Sequence, residues 1–181
     1  GSGSGSNKSD TEKEVADLED LTDRYYALND VLEDINNLLD LNRAKQESAH
    51  GADLQKLLRE EIALLGKKKE ALSNLLAEYE KEQAELKKSL QGVGVYFDEN
   101  NNIVNYNDYL TFQRNWANSL TGSAKEEAIE GIEAIHDAMD RFLELANDKI
   151  PNLKEEWEDL VATINNNAED MLKNVRDKLA K

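Results

Sequence analysis

Cysteine is absent from the 181-residue chain, which removes disulfides, thiolate metal sites and a cysteine nucleophile together. Proline occurs once, at Pro151, and three of the nine glycines fall in the first six residues, so helix breakers are scarce elsewhere. Aromatic residues make up only 6% of the chain and hydrophobic residues 39%, low values for a compact globule. No apolar run approaches the roughly 20 residues that a membrane span needs, and none of the chain's residues is expected to act as a secretory signal, which a fragment could have lost. Basic charge is also short, with 22 Lys and Arg against 38 Asp and Glu, a formal net charge of −16. Such a field repels a phosphate backbone and an anionic membrane surface, so neither nucleic acid nor membrane is an expected partner. Its plain reading is a solvated surface that keeps long helices soluble.

What remains is rich in Leu, Ala, Glu and Lys, the residues of long helices. Gly1 to Ser6 alternate Gly and Ser, so residues 1–8 are set aside as a flexible, disordered linker. Ser9-Asp10-Thr11-Glu12 has the S-x-x-E form of a capping box and predicts a helix start. From there Leu18, Leu21, Tyr25, Leu28, Leu32, Ile35 and Leu39 recur in alternating steps of three and four, a heptad seam. Tyr26, Val31, Leu38 and Leu41 widen this stripe and predict contact with more than one neighbour. Gly51, after His50, is placed to end the helix in the left-handed conformation.

A second seam follows at Leu58, Ile62, Leu65, Leu72, Leu76, Tyr79, Leu86 and Leu90, with Lys69 and Gln83 filling two seam positions. Polar seam residues fix register at some cost in stability, and the first helix carries its own at Asn42 and Gln46. The short turn makes the two helices antiparallel, an αα-hairpin spanning residues 9–92. Arms of ~40 residues would each reach about 60 Å.

The helical period stops at Gln91. Val93, Val95 and Phe97 alternate with Gly94 and Tyr96, and Ile103 and Val104 resume apolar character after the polar cluster Asp98 to Asn102. The two-residue period predicts a small β-hairpin over residues 93–106, a knob that must lean on the helices it joins. A short amphipathic helix is then expected from Tyr106, Tyr109, Leu110, Phe112, Gln113 and Trp116, ending around Ser119 to Gly122. Ser123-Ala124-Lys125-Glu126 is a second capping box, opening a stripe of Ile129, Ile132, Ile135, Met139, Phe142 and Leu145. The stripe continues through Ile150, Leu153, Trp157, Leu160, Ile164, Ala168, Met171, Val175 and Leu179. Pro151 either kinks this helix or sits in the first turn of a new one capped by Asp148. Residues 107–181 are thus amphipathic helices packing back on the hairpin. The expected fold is all-α: a long antiparallel coiled-coil helical hairpin or three-helix bundle with one small β-hairpin.

Chemistry is harder to find. The two histidines, His50 and His136, sit at a helix end and on a helix flank, and no H-E-x-x-H spacing accompanies them. Asp98, Asn100 and Asn102 copy the first three ligands of an EF-hand loop. The copy fails at the sixth position, where glycine should stand and Ile103 does, and at the twelfth, where glutamate should stand and Tyr109 does. A polar hairpin loop explains the same residues. Lys67-Lys68-Lys69 reads as a solvated helix surface interrupted by one seam lysine. Phosphate-cradling loops and a nucleophile elbow are missing. No catalytic residue, cofactor, metal or small-molecule substrate is therefore expected.

The segment Gly94-Val95-Tyr96-Phe97-Asp98-Glu99-Asn100-Asn101-Asn102-Ile103-Val104-Asn105-Tyr106, following a helix with Tyr79-Glu80-Lys81-Glu82 and Leu86-Lys87-Lys88, resembles a pattern of phage and prophage tail tape-measure and minor tail proteins. There it looks like V-x-F-D-x-N-G-N-I-x-N-Y, flanked by coiled coil. Leu21-Thr22-Asp23-Arg24-Tyr25-Tyr26-Ala27-Leu28-Asn29-Asp30-Val31-Leu32 is similar to the helix upstream of it. The resemblance covers most of residues 12–175, with Asn101 standing where the family often has glycine. It implies a non-enzymatic rod or spacer in the virion tail, made in the bacterial cytoplasm and associating with itself or with other tail or coiled-coil proteins. The alternative is a generic bacterial coiled-coil scaffold or surface-protein spacer that mediates protein–protein interaction.

Overall fold

The computed structural model describes the backbone of residues 2–179 and the side chains of residues 20–170 and of Lys173. Its elements are α1 (Ser2–Gln46), α2 (Gly51–Gly92), α3 (Tyr106–Asn118), α4 (Gly122–Glu144), a π turn (Leu145–Lys149) and α5 (Ile150–Leu179). The described residues are all-helical, with no strand among them. None of these helices is long and apolar enough to cross a membrane.

Helix starts differ from those the capping spacings predict. The backbone is helical from Ser2, through both the Gly-Ser repeat and Ser9, so the segment expected as a linker over residues 1–8 continues into α1. The side chains of the first box, like those of Leu18, Met171, Val175 and Leu179, lie outside the described residues. α4 begins at Gly122, with Thr121 as an extended N-cap that makes no side-chain bond, so Ser123 already lies inside the helix and the second box is not formed. Gly51 does adopt positive φ (57°), but as the first residue of α2. α1 has already ended at Gln46, where Ser48 and Ala49 donate to the carbonyls of Lys45 and Gln46.

Pro151 is the second residue of α5. Its ring would crowd a regular helix and its missing N–H would leave a gap in the ladder. The π turn just before it absorbs the misfit: Ile150 N–H donates to Leu145 O, five residues back. Asp148 caps no new helix here and accepts from the Asn152 side chain at 2.6 Å.

The chain divides into two compact units, one of Gly1–Glu78 with Glu155–Lys181 and one of Tyr79–Lys154. In the first, α1 and α2 run antiparallel. Tyr25 Oη donates to the Glu78 carbonyl (3.3 Å), and Arg43 Nε to Glu61 Oε1 (3.3 Å), so partner numbers fall on one helix as they rise on the other. Ile35, Leu39, Leu65, Ala71, Leu72 and Leu75 are its buried apolar residues in α1 and α2, with Leu160 buried on α5. In the second unit, Leu90, Val95, Tyr109, Leu110, Ala117, Ile132, Met139 and Phe142 form one buried cluster. Glu82 grips Arg141 there through two hydrogen bonds (2.8 and 3.0 Å), tying α2 to α4.

Candidate functional site

Two places gather the residues that the sequence singles out: the polar layer near the α1–α2 turn, and the loop between α2 and α3. At the first, Asn42 is 5% exposed, the polar residue buried most deeply among the described residues. Its Nδ2 donates to the Leu57 carbonyl (3.0 Å), and its Oδ1 accepts from Gln46 Nε2 (2.6 Å). Gln46 Nε2 also donates to Glu61 Oε2 (2.6 Å), whose other oxygen takes Arg43. The polar side chains that meet in this layer thus bond one another, which is the condition for burying such groups without a large penalty.

Along α1 the seam residues Leu21, Tyr25, Leu28 and Leu32 are half-buried and Ile35 and Leu39 buried. On α2, Leu65, Leu72 and Leu90 are buried, while Leu58, Ile62, Leu76, Tyr79 and Leu86 are half-buried. Lys69 is half-buried, its Nζ 5.7 Å from the centre of the Trp157 ring, a cation–π arrangement that suits a seam lysine. The widened stripe behaves otherwise. Tyr26, Val31, Leu38 and Leu41 are 67, 46, 51 and 53% exposed, so no second neighbour among the described residues covers them. The antiparallel partner reaches only the 3-4 seam, and these four lie beyond its edge. Instead α2 carries a further buried pair, Ala71 and Leu75, beside Leu72. Their four-residue spacing is a signal present in the sequence, masked by the stronger heptad next to it.

The loop begins with a helix stop. Val95 N–H donates to Leu90 O (3.0 Å) and Gly94 N–H to Gln91 O (3.2 Å), while Gly94 takes φ 102°. This is a Schellman motif, and its accompanying apolar contact is between the buried Leu90 and Val95. The expected β-hairpin is not formed. Only one residue pair, Phe97 with Ile103, makes an antiparallel bridge, held by Asp98 N–H to Asn102 O and Val104 N–H to Tyr96 O (both 2.9 Å). Asn105 explains the early end of the ladder. Its side chain accepts from Tyr96 N–H (2.8 Å) and donates to Gly94 O (3.0 Å), replacing the next rung. The chain then turns at once into α3, whose Tyr109 N–H donates to Asn105 O (2.8 Å).

Alternation nevertheless sorts the side chains. Val95 is buried, Phe97 and Ile103 are half-buried, and Tyr96 and Val104 are 65 and 60% exposed. Phe97 meets the buried Phe142 edge-on, with ring centres 4.8 Å apart. Tyr109 bonds the Val93 carbonyl (3.1 Å), and burial raises its pKa. Tyr106 donates to Asp140 Oδ1 (2.5 Å), and its hydroxyl is pushed up to about 12, first by burial and then by that carboxylate. His136 completes the group, 3.4 Å from Asp140 and edge-on to Tyr106. On α3, the amphipathic pattern places Phe112 and Trp116 on the packed face, yet they are 71 and 50% exposed, one turn apart.

Within the loop, Asp98 Oδ1 accepts from the N–H groups of Asn100 (2.9 Å) and Asn102 (2.8 Å), and Oδ2 from Asn102 Nδ2 (3.0 Å). These bonds, those to Asn102 foremost, hold the carboxyl below its ordinary pKa. Asn101 supplies the positive φ (62°) the turn requires, and its Oδ1 accepts from Lys87 Nζ (2.8 Å). Lys87 also lies 5.6 Å from the centre of the Phe97 ring. The loop carboxylate therefore faces N–H donors of its own turn. That is the arrangement of a self-capped turn. Among the described residues, no group of three His, Cys, Asp or Glu could hold a metal ion.

No family model, no curated protein and no solved structure matches the chain.

Proposed function

We propose that this chain is a non-enzymatic structural module that acts through helix pairing, an antiparallel coiled coil serving as spacer and association surface. Within that class, its particular place is a phage tail, as part of a tape-measure or related tail protein. The class is supported chiefly by the polar layer of Asn42, Gln46 and Glu61, buried or half-buried in a 3-4 apolar seam. A buried, bonded asparagine gains little stability over leucine and is useful where register has to be unique. The tail assignment rests on the resemblance around Val95-Tyr96-Phe97-Asp98 and Asn102-Ile103-Val104-Asn105-Tyr106. The self-capped loop gives that motif a physical role, because Asp98 and Asn105 each satisfy backbone groups there. Immunogold microscopy of induced phage particles, with an antibody raised against this chain, tests the assignment. Gold along the tails is expected. Gold confined to the bacterial envelope or cytoplasm would overturn it and favour a bacterial scaffold.

A further inference from the structure

Ala27, Val31, Asp34, Leu38, Leu41 and Lys45 recur along α1 in steps of four and three, a second heptad beside the one that packs on α2. None of the six is covered, and Val31, Leu38 and Leu41 are 46, 51 and 53% exposed. The charge around them is one-sided. Asp20, Asp23, Asp30 and Asp34 stand on or next to this stripe, all exposed. Arg24, just before Ala27, is shared between Asp20 and Glu78 (both 3.7 Å), and Arg43, between Leu41 and Lys45, pairs with Glu61 (3.3 Å). Within the stripe itself the positive charge is Lys45, at one end.

From this juxtaposition we infer that the outer stripe of α1 docks an amphipathic helix of a partner protein. That helix has a 3-4 apolar seam flanked by lysine or arginine. An apolar 3-4 stripe selects a helix, since only that period keeps partner side chains in register over several turns. Flanking charge selects among helices: four aspartates against one lysine favour a basic partner over a second copy of this chain, whose stripe carries the same acidic excess. The inference goes beyond the structural reading above and does not depend on a tail origin.

The test uses the full chain and three synthetic dye-labelled peptides of about three heptads each. The first has leucine at the seam and lysine at the flanks, the second leucine with glutamate flanks, and the third lysine flanks with serine at the seam. Fluorescence anisotropy should show saturable one-to-one binding of the first peptide and none of the other two. The double variant Leu38→Ser, Leu41→Ser should weaken that binding by about tenfold or more. Its circular dichroism should stay that of the parent, because both side chains are half-exposed already. Three results would overturn the inference. The serine-seam peptide could bind as well as the leucine one, the double variant could bind unchanged, or the first peptide could fail to bind. Sedimentation showing a dimer of the parent that the double variant dissolves would also overturn it, by naming a second copy as occupant. None of these outcomes touches the α1–α2 pairing, which the polar layer reports separately.

Discussion

Asn42 offers a perturbation whose competing contributions can be separated. Replacing it by alanine removes two hydrogen bonds, to the Leu57 carbonyl and from Gln46. Each is worth about 0.5–1.5 kcal/mol net. The groups left behind are not stranded, because Gln46 Nε2 keeps its 2.6 Å bond to Glu61 and the Leu57 carbonyl belongs to a helix. The large penalty for an orphaned buried group is therefore avoided, and Asn42→Ala should cost about 1–3 kcal/mol. Asn42→Leu behaves differently. It loses the same bonds but refills the volume and buries a leucine side chain, worth about 1.5–3 kcal/mol. The two effects nearly cancel, so the leucine variant should stand within about 1 kcal/mol of the parent while registry loosens. Urea unfolding followed by circular dichroism reads the stabilities, and sedimentation reads whether a single species survives. An alanine variant as stable as the parent, or a leucine variant several kcal/mol less stable but still a single species, would show that Asn42 does not set the register.

Phe142 is fully buried and edge-on to Phe97, so Phe142→Ala should cost about 3–5 kcal/mol and loosen the loop, seen as faster amide exchange at Phe97 and Val104. Gly94→Ala should cost about 1–2 kcal/mol in a urea titration. The added Cβ meets the Tyr109 ring at an ordinary 3.6 Å, so the φ of 102° carries the cost, and a loss above about 4 kcal/mol would point to a clash instead. Tyr106 binds its proton more tightly folded than unfolded. Its contribution to stability is therefore complete below the ordinary tyrosine pKa near 10 and is lost as pH rises towards about 12. Absorbance titration of the phenols should show it ionising late, and Asp140→Asn should bring it earlier.

Local spacing carried much of this fold, and the misreadings have physical causes. The 3-4 steps along α1 and α2 single out side chains that are buried or half-buried, and the polar breaks at Asn42 and Gln46 mark the hydrogen-bonded layer. Period alone does not report how many partners a helix has, so the wider stripe from Tyr26 to Leu41 was legible as apolar but not as uncovered. Alternation from Val95 to Val104 sorted inside from outside. It could not reveal that one side chain, Asn105, would end the ladder after a single bridge. The capping box at Ser123 lost to a helix start one residue earlier, at Gly122, where glycine takes φ 64°. The π turn before Pro151 left no trace in composition, because it is a backbone adjustment that Leu145 to Lys149 make as readily as a regular helix.

α1 and α2 of one chain pair antiparallel in one register, and crosslinking tests this most directly. The chain has no cysteine, so the pair Arg24→Cys, Glu78→Cys can be introduced on α1 and α2, where the long side chains now meet at their tips at 3.7 Å, and joined by a short bifunctional thiol reagent. At low protein concentration the reagent should bridge this pair within one monomer and leave unbridged the shifted pair Arg24→Cys, Lys67→Cys, whose second position is exposed and about three turns away along α2. Crosslinks formed only between chains, or formed equally well by the shifted pair, would contradict that pairing.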